Sequence, residues 1–196
     1  MIFKSKNRKQ IISEMKEKFG YENELAVPRL VKAAVNIGIG RYEDKQKEEI
    51  RKQLEAIIGQ RAVAKGAKQA IASFKTRKGM PVGYAATLRG KRMADFFEKT
   101  INFTIPRMRD FRGIDQKSVD QGGNLTIGIR ENILFPEMIG EDVKNIFGLE
   151  ITFVTNAKSR EEALEFFKVM GVPFVNPVKF REVYPNRAKD LTGVKK

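Results

Sequence analysis

The chain has no cysteine, no histidine and no tryptophan. The first absence excludes disulfides, thiolate zinc sites and cysteine nucleophiles. The second removes the side chain that titrates nearest neutral pH, and with it the commonest general acid–base group. No apolar run approaches the roughly 18 to 20 residues that span a bilayer. The amino-terminal "MIFKSKNRKQ" is charged where a signal peptide needs an apolar stretch. These absences predict a soluble, cytoplasmic, non-catalytic protein that needs no cofactor and no metal. The 196 residues are 41% hydrophobic, enough for one sizeable core.

What the chain does have is positive charge, a net +14 from 38 basic and 24 acidic residues. The charge is unevenly placed. Residues 56–94 contain no Asp or Glu but nine Lys and Arg, whereas residues 131–165 contain eight acids and only Lys144, Lys158 and Arg160 as cations. A cationic strip of this kind neutralises phosphates and releases condensed counterions. It favours nucleic acid as partner, with an anionic membrane surface second. No helical stretch pairs an apolar face with a uniformly basic one, which disfavours the membrane.

Local patterns give an α+β fold: an antiparallel sheet with helices packed on one face and the other face partly exposed for RNA. Residues 5–19 carry an apolar stripe (Ile11, Ile12, Met15, Phe19) at helical spacing, stopped by Gly20. "LVKAAVNIGIG" alternates, with Val31, Ala33, Val35, Ile37 and Ile39 on one strand face and Lys32, Ala34, Asn36 and Gly38 on the other. A second helix turns Ile50, Leu54, Ile57 and Ile58 inward. A third, over 92–105, buries Met93, Phe96, Phe97 and Ile101 before Pro106 disturbs its end. The basic stretch 60–90 reads as two strands joined by an exposed loop around "TRKGMP", where Gly79 and Pro81 supply turn chemistry. "NLTIGIRE" and "LEITFVT" are two more strands. Ser159 with Glu162 forms a capping box ahead of a last helix. Residues 1–174 are expected to form one domain and 175–196 a basic carboxy-terminal extension.

Enzyme signatures fail one by one. In "NIGIGR" the third glycine of a dinucleotide fingerprint is replaced by Glu43, so Gly38 and Gly40 read as a strand end needing close backbone approach. Asp110, Asp115 and Asp120 share a loop and would suit a Mg²⁺-dependent RNA-acting enzyme. Arg107, Arg109, Arg112 and Lys117 stand among them, so loop capping or salt bridging is the stronger reading. A basic RNA chaperone is the other alternative. Phe74 and Tyr84 flank the basic loop at positions suited to stacking on a base, although no RNA-recognition-motif pattern surrounds them.

The segments "VPRLVKAAVNIGIG", "GQRAVAKGAKQAIASFKTRKGMPVGYAATLRG", "RMADFFEK", "IPRMRDFRGI", "GIRENILFPE" and "SREEALEFFKVMGVPF" follow one another in that order. Together they resemble the bacterial family of the fifth large-subunit ribosomal protein, over about residues 11–174. The resemblance implies a structural constituent of the large subunit that binds 5S rRNA alongside 23S-type rRNA. It implies rRNA-binding roles for Asn36, Gln60, Phe74 and Thr87, with Arg61, Lys65, Lys68, Arg89 and Arg92 on the same surface. It also implies a loop over 73–83 that contacts the peptidyl-site tRNA through Lys75, Arg77, Lys78 and Met80. The acidic carboxy-terminal half would face a basic head protein of the small subunit.

Overall fold

The alternating segments pair into an antiparallel sheet in a computed structural model that describes residues 8–74, 76–109, 111–140 and 145–175. Among these residues there are five strands: β1 (Leu30–Gly38), β2 (Val63–Gly66), β3 (Pro81–Leu88), β4 (Leu125–Ile129) and β5 (Leu149–Thr155). Their order in the sheet is β2-β3-β1-β5-β4, every pair antiparallel. Four α-helices accompany them: α1 (Arg8–Phe19), α2 (Asp44–Ile58), α3 (Gly90–Lys99) and α4 (Arg160–Val169). The architecture is the α+β fold expected from the sequence.

Register decides which side chains meet. Leu88, Ala33, Phe153 and Leu125 align across β3, β1, β5 and β4, and so do Ala86, Val35, Ile151 and Ile127. All eight are buried. Helices cover this face. Ile50, Leu54, Ile57 and Ile58 of α2 and Met93, Phe96 and Phe97 of α3 join the same core. Phe97 meets Phe153 edge-on at 4.9 Å, a favoured aromatic geometry. Tyr84 lies on this face at 6% exposure, so it is core packing and not a platform for a base. The alternation of β3 puts it opposite Ile37.

Four other expectations change. Val31 is 37% exposed, because a register shift between Leu30 and Lys32 takes it out of the core face. Phe19 is 40% exposed, so the stripe of α1 effectively ends at Met15. The helix expected to run to 105 leaves α-geometry after Lys99 and continues as a π-turn (Thr100–Thr104) and a 3-10 turn (Ile105–Arg107). The buried Thr100 hydroxyl donates back to the Phe96 carbonyl at 2.7 Å, a local bond that competes with the regular helix ladder. The capping box is only half formed. Ser159 accepts from the Glu162 N–H at 3.2 Å, but the Glu162 carboxylate reaches the N–H of Lys158 instead of that of Ser159.

Glu162 also accepts from the Tyr21 hydroxyl, and Glu165 pairs with Lys18 at 2.6 Å, so α1 is clamped to α4 by polar contacts across an apolar seam. Lys168 and Lys18 hold the Glu165 carboxyl below its ordinary range. A carboxyl so lowered contributes stability above the ordinary carboxylate range and loses it as pH falls below.

Candidate nucleic-acid interface

The helices cover one face of the sheet and leave the other open. Its rows follow from the same register. Thr87, Ala34, Thr152 and Thr126 align across four strands; Val63, Ala85, Asn36, Glu150 and Gly128 align across all five. Apart from Glu150 these side chains are short, so most of the face is low. Asn36 stands exposed near its middle, and its side-chain amide has no hydrogen-bond partner among the described residues. Gln60, at the carboxy-terminal end of α2, donates from Nε2 to the Thr87 carbonyl at 3.3 Å. The structure thus brings Asn36, Gln60 and Thr87 to one part of this face, with Lys65 on β2 beside them.

Arg61, Arg89 and Arg92 gather where β2 begins and β3 ends. Arg89 is the extended residue that precedes α3, and Arg92 lies in the first turn of that helix. Lys68, Phe74, Arg77, Lys78 and Met80 lie at the opposite end of the β2–β3 hairpin. The resemblance groups Phe74 and Lys68 with Asn36; the fold separates them from it. Phe74 is 73% exposed at the hairpin tip. Lys75 and Asp110 lie outside the described residues, as does all of the 175–196 extension except Val175.

The tip is a built loop. Ala67 and Met80 continue the ladder (N–H to carbonyl, 2.9 Å), and Gly79 donates to Ala67 at 2.9 Å. The Arg77 carbonyl accepts from Met80 at 3.0 Å, closing a turn in which Gly79 takes φ +86, a left-handed value that costs glycine no strain. Ile71 and Thr76 form an antiparallel bridge beyond it, and a 3-10 turn (Ala72–Phe74) lies within that bridge.

The electrostatic contrast is sharp. Lys16, Lys18, Lys47, Arg51, Lys99 and Lys168 all have carboxylate partners. Arg61, Lys65, Lys68, Arg77, Lys78, Arg89, Lys91 and Arg92 are exposed and, among the described residues, have none. Like charges concentrated in this way raise the local potential by several kT and attract a polyanion. The acidic segment is less free than its composition implies. Glu137 is paired with Lys99, Glu162 is buried, Glu165 is held by two lysines, and Glu150 stands on the open sheet face.

The loop aspartates have structural work. Asp115 accepts from the Lys117 N–H at 3.0 Å and Asp120 from that of Asn124 at 2.7 Å, which holds the Asp120 carboxyl below its usual range. Among the described residues no group of three or more acids is placed to hold a metal ion. Gly38 and Gly40 also differ from expectation. A Cβ at either would meet nothing within 4 Å, so the chain's own packing does not require glycine there. The close approach falls on the facing strand, where a Cβ at Gly83 would lie 2.8 Å from the Ile37 carbonyl oxygen.

Comparison with known proteins agrees with this surface. Residues 81–174 match the C-terminus of the ribosomal L5 family, and residues 23–77 match ribosomal protein L5. The large ribosomal subunit protein uL5 of Halothermothrix orenii is 46% identical over 169 residues, covering 85% of this chain and 94% of that protein. Its counterpart in Carboxydothermus hydrogenoformans is 44% identical over 173 residues (87% and 97%), and that of Kosmotoga olearia 43% over 175 residues (87% and 94%). An exposed cationic surface without carboxylate partners is what a protein packed among ribosomal RNA requires. The chain belongs to the ribosomal protein L5 family, the uL5 proteins of the large subunit, and is therefore a structural component of the cytoplasmic ribosome and not an enzyme.

Proposed function

We propose that within the large subunit this protein holds 5S rRNA on the open face of its sheet, beside 23S-type rRNA. The hairpin tip over 73–83 touches the peptidyl-site tRNA, and the carboxy-terminal half reaches a basic head protein of the small subunit. Residues 1–174 act as one RNA-binding domain, and 175–196 as a basic extension of it. The observation that carries this reading is the adjacency of two surfaces: a low sheet face centred on Asn36 that no helix covers among the described residues, and exposed cations that there lack carboxylate partners. Phosphate contacts would fix orientation, while amides and hydroxyls on the face reach ribose and base edges. The protein makes and breaks no bond.

The two ends of the hairpin separate the roles. Arg77→Ala with Lys78→Ala is expected to leave 5S rRNA binding nearly unchanged while weakening tRNA-dependent function of reconstituted subunits. Asn36→Ala is expected to do the reverse, at a cost of about 1 kcal/mol or more for a polar contact left unpaired. Equal loss of 5S rRNA binding in both variants, measured by filter binding, would contradict the division.

A further inference from the structure

The half of the sheet farthest from the cationic strip carries a shallow depression of about 530 Å³, lined by Asn36, Gly38, Arg41, Gly128, Arg130 and Glu150. Its two cations lie outside the acid-free stretch 56–94. Arg130 follows β4 and keeps the alternation of Thr126 and Gly128, which places it on the open face. It is exposed and, among the described residues, has no ion-pair or hydrogen-bond partner. Arg41 lies beyond the end of β1, its guanidinium 5.3 Å from the Tyr42 ring centre. Tyr42 is fixed in turn by donating its hydroxyl to the Ile146 carbonyl at 3.2 Å. Two arginines therefore stand at this end of the sheet, one of them held in place.

Between them is an anomaly. Glu150 is exposed on the proposed RNA-binding face, and no cation among the described residues pairs with it. A carboxylate facing phosphates is unfavourable unless it meets donors. Its direct cross-strand partner is Asn36, and such partners have Cβ atoms about 4.5–5.5 Å apart on one face. An ionised carboxylate only accepts hydrogen bonds, through two oxygens side by side, whereas an amide both donates and accepts. Among the four RNA bases only guanine presents two adjacent N–H groups, N1–H and N2–H, beside a carbonyl on its Watson–Crick edge. Unstacked bases in single-stranded RNA expose that edge. Beside the pair the floor is low: a Cβ at Gly38 or Gly128 would meet nothing within 4 Å.

We propose that this depression takes one unpaired guanine of the bound RNA. Glu150 accepts from its N1–H and N2–H, Asn36 donates to O6, and Arg41 and Arg130 hold the flanking phosphates. The inference rests on the reading that RNA lies on this face, and it adds a base-specific contact on the side of Asn36 that faces away from the cationic strip.

The test is filter binding of a 5S rRNA transcript across salt by the full chain and by Glu150→Gln and Arg130→Gln, both exposed positions, with thermal melts to show the fold intact. Charge alone predicts that Glu150→Gln tightens binding by removing repulsion. Guanine readout predicts the opposite sign, a loss of roughly tenfold, because the glutamine NH₂ would face the base N2–H. Arg130→Gln should reduce the slope of log affinity against log salt by about 0.7 to 0.9. Tighter or unchanged binding by Glu150→Gln, or an unchanged slope for Arg130→Gln, overturns the proposal while a wild-type protein that still binds leaves the RNA reading intact. Failure of the wild type itself to bind would instead remove the reading on which the proposal rests.

Discussion

Replacing Arg61, Lys65, Arg89 and Arg92 together by glutamine is expected to weaken rRNA binding on the order of a hundredfold or more near physiological salt. It should also flatten the salt dependence by about three units of slope, at roughly 0.7 to 0.9 per lost phosphate contact. The same substitution should leave folding stability unchanged or slightly raised. These four side chains are exposed and, among the described residues, have no carboxylate partners, so their removal breaks no internal ion pair and relieves mutual repulsion. Opposite signs on binding and stability identify a surface shaped by an external polyanion. Lys45→Gln with Lys52→Gln on the exposed side of α2 is the control, and its slope should hardly move. Equal flattening by the control would mean that net charge, and not this strip, sets the affinity.

Gly83→Val is expected to destabilise the fold by about 3 kcal/mol, whereas Gly38→Ala, on the residue paired with it, should stay within about 0.5 kcal/mol of wild type. The two glycines face each other across β1 and β3, yet only one is needed by the packing. A Cβ on Gly83 would lie 2.8 Å from the Ile37 carbonyl oxygen; one on Gly38 meets open space. Valine at 83 must push β1 and β3 apart in the middle of the sheet, and the ladder bonds there are lost along with the fit. For a chain of this size 3 kcal/mol lowers the melting temperature by about 6 to 12 °C. Denaturant melts of the two variants check this, and comparable losses at both sites would contradict the register described here.

Sequence pattern identified the elements wherever one face is buried and the other is not. Ile50, Leu54, Ile57 and Ile58 of α2 and Ala33, Val35 and Ile37 of β1 are core residues both by spacing and by burial. Legibility fails where that contrast weakens. A strand was expected at the start of the basic stretch 60–90 and β2 lies there, but all four of its residues are exposed, so burial sets no bounds on it and only pairing with β3 limits it to Val63–Gly66. Tyr84 stands among glycines and alanines close to a basic loop, and its burial follows from register with Ile37, which a single segment does not reveal. The bulge near Val31 and the π-turn after Lys99 are single-residue changes of phase, invisible to a periodicity that averages over a window. The cationic strip was legible because it is contiguous. Arg130 and Glu150 were not, since β4 and β5 bring them beside Asn36 only through long-range pairing.

A sheet face bordered by unpaired cations and held in place by ribosomal RNA should distinguish that RNA from others as salt rises. The purified chain is titrated against 5S rRNA and against an unrelated RNA of equal length, from low to high salt. Both should bind at low salt with steep slopes, and the 5S rRNA complex should persist to salt concentrations at which the unrelated RNA has dissociated. Indistinguishable curves for the two RNAs, or no 5S rRNA complex at low ionic strength, would contradict the claim.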